Sequence, residues 1–439
     1  MRSLAVLLVT LASLLSCLVS VPASAQTAAG ASDDNQGGGI SSDPTDPGVL
    51  LQDIQQRAAQ REALFPVSPL GRLRDHTDRA KQRIYDATGI KLGLTLNNLG
   101  QGLSQALPGE ANSGLTTDMD FVAKWELIDR GKPTHGGFYF QLEGRWDYGT
   151  TGPQDLGFVS LASAGGTANA FSAYTPEAFL VRNLYWQHGS KDAGWAYRIG
   201  KITPDAILLT SSHISPTTTF LPNVGTGVFG DGLPDSGLGV VGALFPNDRI
   251  FVAGLVSDAN ADRFNFGDIG AGDYYKAVEV GIKIAPRTKK AGYSKFDLWH
   301  TDGTKDGLPI NASTGREGWG FATKLEQELT DDGRMVGVFR YGRSYDGSAI
   351  YKQQAGLSLL FYDPSDPIGI QNDLVGAAFN WVDSVVVGSR DEYNFEAFYR
   401  FPMFPHVDAT LSYQSVIHPA LTTSIDHASA FSLRLRTTY

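Results

Sequence analysis

From residue 90 to the carboxyl end, short stretches of strict period-two alternation follow one another, and no other feature narrows the fold as much. In 138–148, Phe138, Phe140, Leu142, Trp146 and Tyr148 fall on one face, and Tyr139, Gln141, Glu143, Arg145 and Asp147 on the other. In 278–284, Val278, Val280, Ile282 and Ile284 oppose Glu279 and Lys283; in 407–414, Val407, Ala409, Leu411 and Tyr413 oppose Asp408, Thr410, Ser412 and Gln414. Successive side chains of a strand point to opposite faces, so each stretch reads as a strand with one apolar and one polar side. About sixteen candidates, each near the ~10 residues of a membrane-crossing strand, lie at 90–99, 116–127, 137–148, 178–188, 195–202, 237–245, 249–257, 275–284, 294–301, 318–329, 335–341, 351–361, 373–382, 393–401, 407–416 and 430–439.

The connections carry a second signal. Those after odd-numbered candidates are mostly long, as at 149–178, 203–236, 258–274 and 302–317. Several after even-numbered ones are tight, as at 246–248, 331–333 and 402–406, with turn chemistry such as Asp332-Gly333. Long loops on one rim and short turns on the other describe an outer-membrane barrel with both ends on the short-turn, periplasmic side. The last stretch agrees: Phe431, Leu433, Leu435 and Tyr439 share one face and Arg434 and Arg436 the other. An apolar outer face ending in an aromatic side chain suits a closing strand that the barrel-assembly machinery would engage. The expected fold is all-β, a transmembrane antiparallel β-barrel preceded by a short helical segment.

The amino end sets the expected compartment. Arg2, the apolar run 4–21 and Ala23-Ser24-Ala25 read as a signal peptide over 1–25. Leu14-Leu15-Ser16 before Cys17 offers a lipoprotein alternative, which fits less well than the Ala-Ser-Ala site. Cys17 is the only cysteine and lies in the piece removed, so the expected mature chain has no disulfide. No later stretch reaches the ~18 apolar residues of a spanning helix. Residues 26–48 read as a flexible linker with Gly37-Gly38-Gly39, and 49–89 as a helical periplasmic or plug segment, with helices at 49–64 and 70–87. Residues 90–439 are the barrel. The net charge of −10 argues against nucleic acid as a partner.

Several stretches carry a family resemblance: Gly71-Arg72-Leu73-Arg74 followed by Gly89-Ile90, Arg198-Ile199-Gly200-Lys201, 298–303 (Leu-Trp-His-Thr-Asp-Gly), and Tyr413-Gln414 with His418-Pro419. Together they make the chain resemble the carbohydrate-selective porins of the OprB type over nearly all of its expected mature length. It departs where Ser68-Pro69 replaces the family's tryptophan before the opening glycine, and where Tyr439 replaces a final phenylalanine. The resemblance implies a sixteen-stranded outer-membrane channel for monosaccharides and related polyols. Outer-membrane lipid and small sugars are then the expected partners; monomer and homo-oligomer remain open.

A neutral, hydroxyl-rich solute passes where donors and acceptors replace its water and where weak contacts let it leave again. Glu143, Arg145, Asp147, Arg198, Lys283, Lys324, Glu326, Arg340, Glu396, Arg400, Gln414, Arg434 and Arg436 all fall on the polar face of a candidate strand and are the expected pore-lining residues. The alternative is that they pair across strands and only hold water. Loop 203–236 is the longest and follows the fifth strand, so it either folds inward to narrow the pore or lies on the surface. Asp231 and Asp235 in it, with Asp258, Asp262 and Asp268 in the next loop, match no defined metal-binding spacing, so neither metal nor cofactor is expected. No H-E-x-x-H, G-x-S-x-G or Walker A motif occurs, and His188, His213, His300 and His418 have no evident catalytic partner. A channel is therefore expected over an enzyme, with a general or another substrate-specific outer-membrane channel, or an adhesin barrel, as alternatives.

Overall fold

A computed structural model describes residues 63–147, 162–167, 179–211, 213–227, 232–247, 249–261, 264–284, 292–303, 317–345, 349, 351–386 and 388–439. The expected signal peptide, linker and most of the helix at 49–64 lie outside these residues. Ala63 and Leu64 are described and are not helical.

Sixteen antiparallel strands form one closed barrel: β1(Ile90–Leu103), β2(Ser113–Ile128), β3(Gly136–Asp147), β4(Phe179–Ser190), β5(Trp195–Ile202), β6(Gly237–Asn247), β7(Ile250–Asp258), β8(Tyr274–Ile284), β9(Gly292–Thr301), β10(Gly318–Glu328), β11(Met335–Tyr345), β12(Tyr351–Tyr362), β13(Leu374–Ser384), β14(Glu392–Phe404), β15(Val407–Ile417) and β16(His427–Thr438). Each strand pairs with its neighbours in sequence. β16 closes onto β1 in a register running from Thr95↔Thr438 to Leu103↔Ala430. Leu94 and Tyr439 complete the seam by exchanging both backbone hydrogen bonds at 2.8 Å. Closure leaves no unpaired strand edge, which is what lets a sheet stand in hydrocarbon. All the expected strands are present, several extended by a few residues. The rim alternation holds over most of the barrel, except that the connections after β11 and β13 are short and the one after β12, at 363–373, is longer than either.

The period-two pattern resolves into two chemically distinct faces. Outward positions such as Phe138, Val240, Val256, Val278, Ile282, Phe296, Leu298, Leu411 and Leu433 are exposed and apolar. Inward positions are buried against the lumen contents and are mostly polar. Outward aromatic pairs gather toward both rims. Trp319–Tyr345 (4.3 Å between centroids) and Trp146–Phe179 (6.3 Å) lie toward the long loops; Phe138–Trp186 (5.2 Å) and Trp195–Tyr197 (6.2 Å) lie toward the short turns. Such girdles mark the two interfaces of an outer-membrane barrel.

The short turns are built from side-chain-to-backbone bonds. Asn247 Oδ1 accepts from the amides of Arg249 (2.9 Å) and Ile250 (3.0 Å), which closes the β6–β7 hairpin in the fewest residues. The amino-terminal helix α1(Ser68–Thr88) lies at this rim. Gly89 caps it with φ 79°. A Cβ there would come within 2.6 Å of the Glu126 carbonyl oxygen, so glycine is required for both the turn and the close approach. Tyr85 donates to Glu126 Oε2 (3.0 Å), Lys91 donates to Glu126 Oε1 (2.9 Å), and Trp125 Nε1 donates to the Thr88 carbonyl (3.0 Å). Before the helix, the amides of Leu64 and Phe65 bond the carbonyls of Pro402 (2.9 Å) and Met403 (3.0 Å). The segment is thus tied to the β14–β15 turn at one end and to β1–β2 at the other, with most of α1 exposed.

A loop folded into the barrel

Between β5 and β6, the described residues 203–211, 213–227 and 232–236 enter the lumen. Ile207, Leu208, Leu209, Ile214, Phe220, Leu221 and Val224 of this loop are all buried. Ile207 and Leu208 pack with Tyr139, Tyr185, Val241, Leu255, Tyr275 and Trp299 of the wall. Phe220 stands edge-on to Phe398 at 5.0 Å. The loop also carries a one-turn helix, α2(Asn223–Thr226).

A loop inside a barrel must satisfy its backbone polar groups, and the wall provides the partners. Arg434 donates to the carbonyls of Pro216 (2.9 Å) and Thr219 (2.7 Å), and Arg400 to that of Thr218 (2.9 Å). Arg340 donates to the Gly225 carbonyl, to Ser358 Oγ (2.9 Å) and to Asn380 Oδ1 (3.0 Å). Gly356 makes room for it: a Cβ there would stand 2.8 Å from Arg340 Nη2. Gln354 reaches the carbonyls of Val224 and Gly227, both at 3.2 Å. Lys324 donates to the Leu209 carbonyl and Lys295 to Thr210 Oγ1 (2.7 Å). Carboxylates accept from the loop's amides: Glu396 from Leu221 (3.0 and 3.2 Å), Glu279 from Leu209. His213 Nδ1 and Tyr362 OH meet at 2.9 Å. These anchors come from β8 through β16, so the loop is clamped around more than half of the wall.

The wall from β1 to β4 is organised differently. Here the charges face one another. Arg145 contacts Glu143 and lies 3.5 Å from Asp118 Oδ1. Arg182 stands 3.5 Å from Glu143, 3.6 Å from Asp205 and 3.7 Å from Asp235, the last two on the loop. A hydrogen-bonded ladder runs beside this cluster: Gln141 Nε2 to Asp120 (2.8 Å), Asn183 Nδ2 to Gln141 Oε1 (2.7 Å), and the Thr203 amide to Asn183 Oδ1 (2.9 Å). On β1, Thr95 and Asn97 sit across from Asp120 and Asp118 and point inward. Their side-chain polar atoms have no hydrogen-bond partner among the described residues. Carboxylates, amides, hydroxyls and guanidinium groups therefore converge beside the loop. Burial holds Asp205 above the usual carboxylate range, against the pull of Arg182.

Of the residues expected to line the pore, Glu143 and Arg145 stand in this cluster. Lys324, Arg340, Glu396, Arg400 and Arg434 instead hold the loop. Arg198 donates to Gln187 Oε1 (3.2 Å) and lies 5.3 Å from the Tyr185 ring, itself stacked on Tyr139 at 5.0 Å. Glu326, Gln414 and Arg436 are buried on inward positions of their strands. Lys283 keeps the inward phase but is exposed at the short-turn rim, away from the loop. Asp147 closes β3 opposite Thr116 at the long-loop end.

The expectations missed Arg182, because a bulge breaks the alternation there: the β3–β4 register runs Leu142↔Val181 and then Gln141↔Asn183, leaving Arg182 unopposed. Asp118 and Asp120 were missed as well, although they alternate in phase with Thr116, Val122 and Lys124 and the same pattern could have found them. Gly281 lies on an inward position of β8, but a Cβ there would meet the Phe251 ring at 1.9 Å.

A closed sixteen-stranded barrel narrowed by an inward-folded loop after β5 has the architecture of the bacterial outer-membrane porins. Among solved structures, the chain is similar to Pseudomonas putida OprB in its high-pH form, with a TM-score of 0.65 at 12% identity, covering 83% of this chain and 97% of that one. It is also similar to a mutant of the Rh. blastica porin, with a TM-score of 0.44 at 12% identity, covering 80% of this chain and all of the other. No family model matches the sequence, and no curated protein does.

Proposed function

We propose that the barrel is an outer-membrane diffusion channel for monosaccharides and related polyols. The observation that carries this reading is the β1–β4 wall. It sets fixed donors (Arg145, Arg182, Asn183) and acceptors (Asp118, Asp120, Glu143) beside the loop, with the unpartnered groups of Thr95 and Asn97 among them. A guanidinium is a planar fork of donors suited to adjacent hydroxyls, and carboxylates accept from the same sugar. Neutral hydroxyl-rich solutes can exchange their water for these groups without a net charge being left unpaired. The stretches that resemble the OprB-type family support the same substrate class. Two of them are structural here: Gly200 (φ 142°) lies where a Cβ would meet the Leu184 carbonyl at 2.4 Å, and Trp299 is buried against Tyr275.

Planar-bilayer recording tests the reading. The purified protein should give steady conductance steps that added glucose reduces, and liposomes containing it should swell in small sugars and not in large oligosaccharides. Conductance without any glucose effect would leave a general channel in place of a sugar-selective one. Assembly should depend on the closing strand: without residues 431–439, β1 and β15 both lose most of their pairing with β16, and the chain should accumulate unfolded in the periplasm.

A further inference from the structure

Most lysines and arginines of the strands point into the lumen. Lys201, Lys276, Arg343 and Lys352 fall on outward register positions instead, and all lie near the long-loop ends of their strands; Lys201 is buried and donates to the Asn265 carbonyl. Among the described residues, no strand lysine or arginine points outward near the short-turn rim. A cation on the outer face costs about 2–4 kcal/mol at mid-membrane and little at the interface. Their placement at one interface only therefore asks for a reason specific to that leaflet.

Lys276 is fully engaged within the protein, donating to both carboxylate oxygens of Asp302 at 2.9 Å. Arg343 is not. Its guanidinium lies 4.9 Å from the Tyr345 ring, and it has no hydrogen bond or ion pair with the described residues. Beside it, a bulge between Tyr351 and Gln353 turns both Lys352 and Gln353 outward on β12, with Gln353 opposite Arg343. Tyr341 OH donates to Gln353 Oε1 (3.3 Å), which orients the amide and leaves its NH2 group for another acceptor. Lys352 is half exposed and meets Asp383 only at 3.9 Å. The floor next to these donors is aromatic, the stacked Trp319–Tyr345 pair. A planar guanidinium, an ammonium and an amide thus converge on the outer wall at the level of lipid headgroups, above apolar surface.

From this we infer that Arg343, Lys352 and Gln353 form a binding site for the phosphate of an outer-leaflet phosphoglycolipid, whose acyl chains lie along the barrel wall below. A phosphate accepts bidentately from Arg343 and takes the Lys352 ammonium as a second charge. The inference rests on the outer-membrane reading of the fold and not on the sugar selectivity of the pore.

The test titrates detergent-purified protein with diphosphoryl lipid A and reads the bound lipid by native mass spectrometry. Replacing Arg343→Ala and Lys352→Ala together should weaken retention about thirtyfold, the loss of two headgroup cations. Lys276→Ala should retain lipid as the parent does. Enzymatically dephosphorylated lipid A should bind the parent no better than diphosphoryl lipid A binds the double variant. Excess inorganic phosphate should not displace bound lipid, because it lacks the acyl contacts. Arg343→Gln with Lys352→Gln keeps side-chain bulk and should show the same loss, with heat-modifiable mobility on gels reporting the fold. Undiminished retention in either double variant, equal binding of dephosphorylated lipid, or displacement by inorganic phosphate would each overturn the site. Glucose block of the pore should be unchanged in these variants, so a failure here stays separate from a failure of the channel reading.

Discussion

The two sides of the lumen wall use the same residue types for different ends. From β8 to β16, arginines, lysines and carboxylates bond the backbone of the inward loop: Arg434 to Pro216 and Thr219, Arg400 to Thr218, Glu396 to Leu221. From β2 to β4, Arg145 and Arg182 face Asp118, Glu143 and two loop carboxylates, and side chain meets side chain. A backbone carbonyl is a fixed acceptor whose loss leaves a buried polar group unsatisfied, so the first set is structural. A side-chain cluster holds no backbone in place, so on the proposed reading the second set is the one that can trade partners with a passing solute. An inward arginine in a porin-type barrel is therefore not by itself a pore-lining residue; what it bonds decides.

The largest expected effect breaks the structural side. Replacing Arg340, Arg400 and Arg434 by alanine removes charge-assisted bonds of about 1.5–3 kcal/mol each. The loop should detach, single-channel conductance should rise, and larger saccharides should enter liposomes. Unchanged conductance with an unchanged sugar cutoff would mean that the loop is held by its apolar packing alone.

Next come matched inward substitutions on the two sides. Gly281→Arg should destabilise the barrel in a urea titration by more than the ~1–3 kcal/mol of an ordinary overpacked site, because Phe251 occupies the space. Gln141→Arg should be tolerated, because Asp120 and Glu143 lie beside it. The outward Leu142→Arg should cost about 2–4 kcal/mol near mid-membrane. If Gln141→Arg and Leu142→Arg shift the midpoint alike, the assignment of faces on β3 is wrong.

A smaller, functional effect should follow Arg145→Gln with Arg182→Gln. The remaining carboxylates, Asp118, Asp120, Glu143, Asp205 and Asp235, should then make the pore more cation-selective, and glucose should block the current less. Arg400→Gln should leave reversal potential close to that of the parent. Equal shifts in both variants would erase the distinction between the two sides.

The smallest effect is a pH dependence on the side-chain-paired wall. Burial raises the Asp205 carboxyl above its ordinary value. On acidification it therefore takes up a proton before exposed carboxylates do, and cation preference should begin to fall at that earlier point. The sign for stability follows: a carboxyl that binds its proton more tightly when folded stabilises most at acid pH, and that contribution is lost as pH rises through its folded value. Asp205→Asn should remove the early part of the selectivity change; if the titration curve is unaltered, another group is responsible.

The strands, their phase and the rim alternation were all legible in the sequence, because period-two patterning and turn chemistry are local. A one-residue slip would put Arg434 and Arg436 into lipid, so the pattern excludes every odd slip of the register. The inward loop was legible only as an option. Its placement depends on contacts such as Glu396 with the Leu221 amide, 175 residues apart in sequence, and no local pattern records which wall residue meets which loop carbonyl. For the same reason the expected pore-lining set mixed loop anchors with the Arg145–Glu143 cluster: both obey the same alternation. Arg182 escaped notice because its bulge is a property of two paired strands, not of one. Alternation determined which side chains face inward; only the tertiary structure decided whether each meets backbone, another charge or open lumen, since that depends on what the folded loop brings opposite.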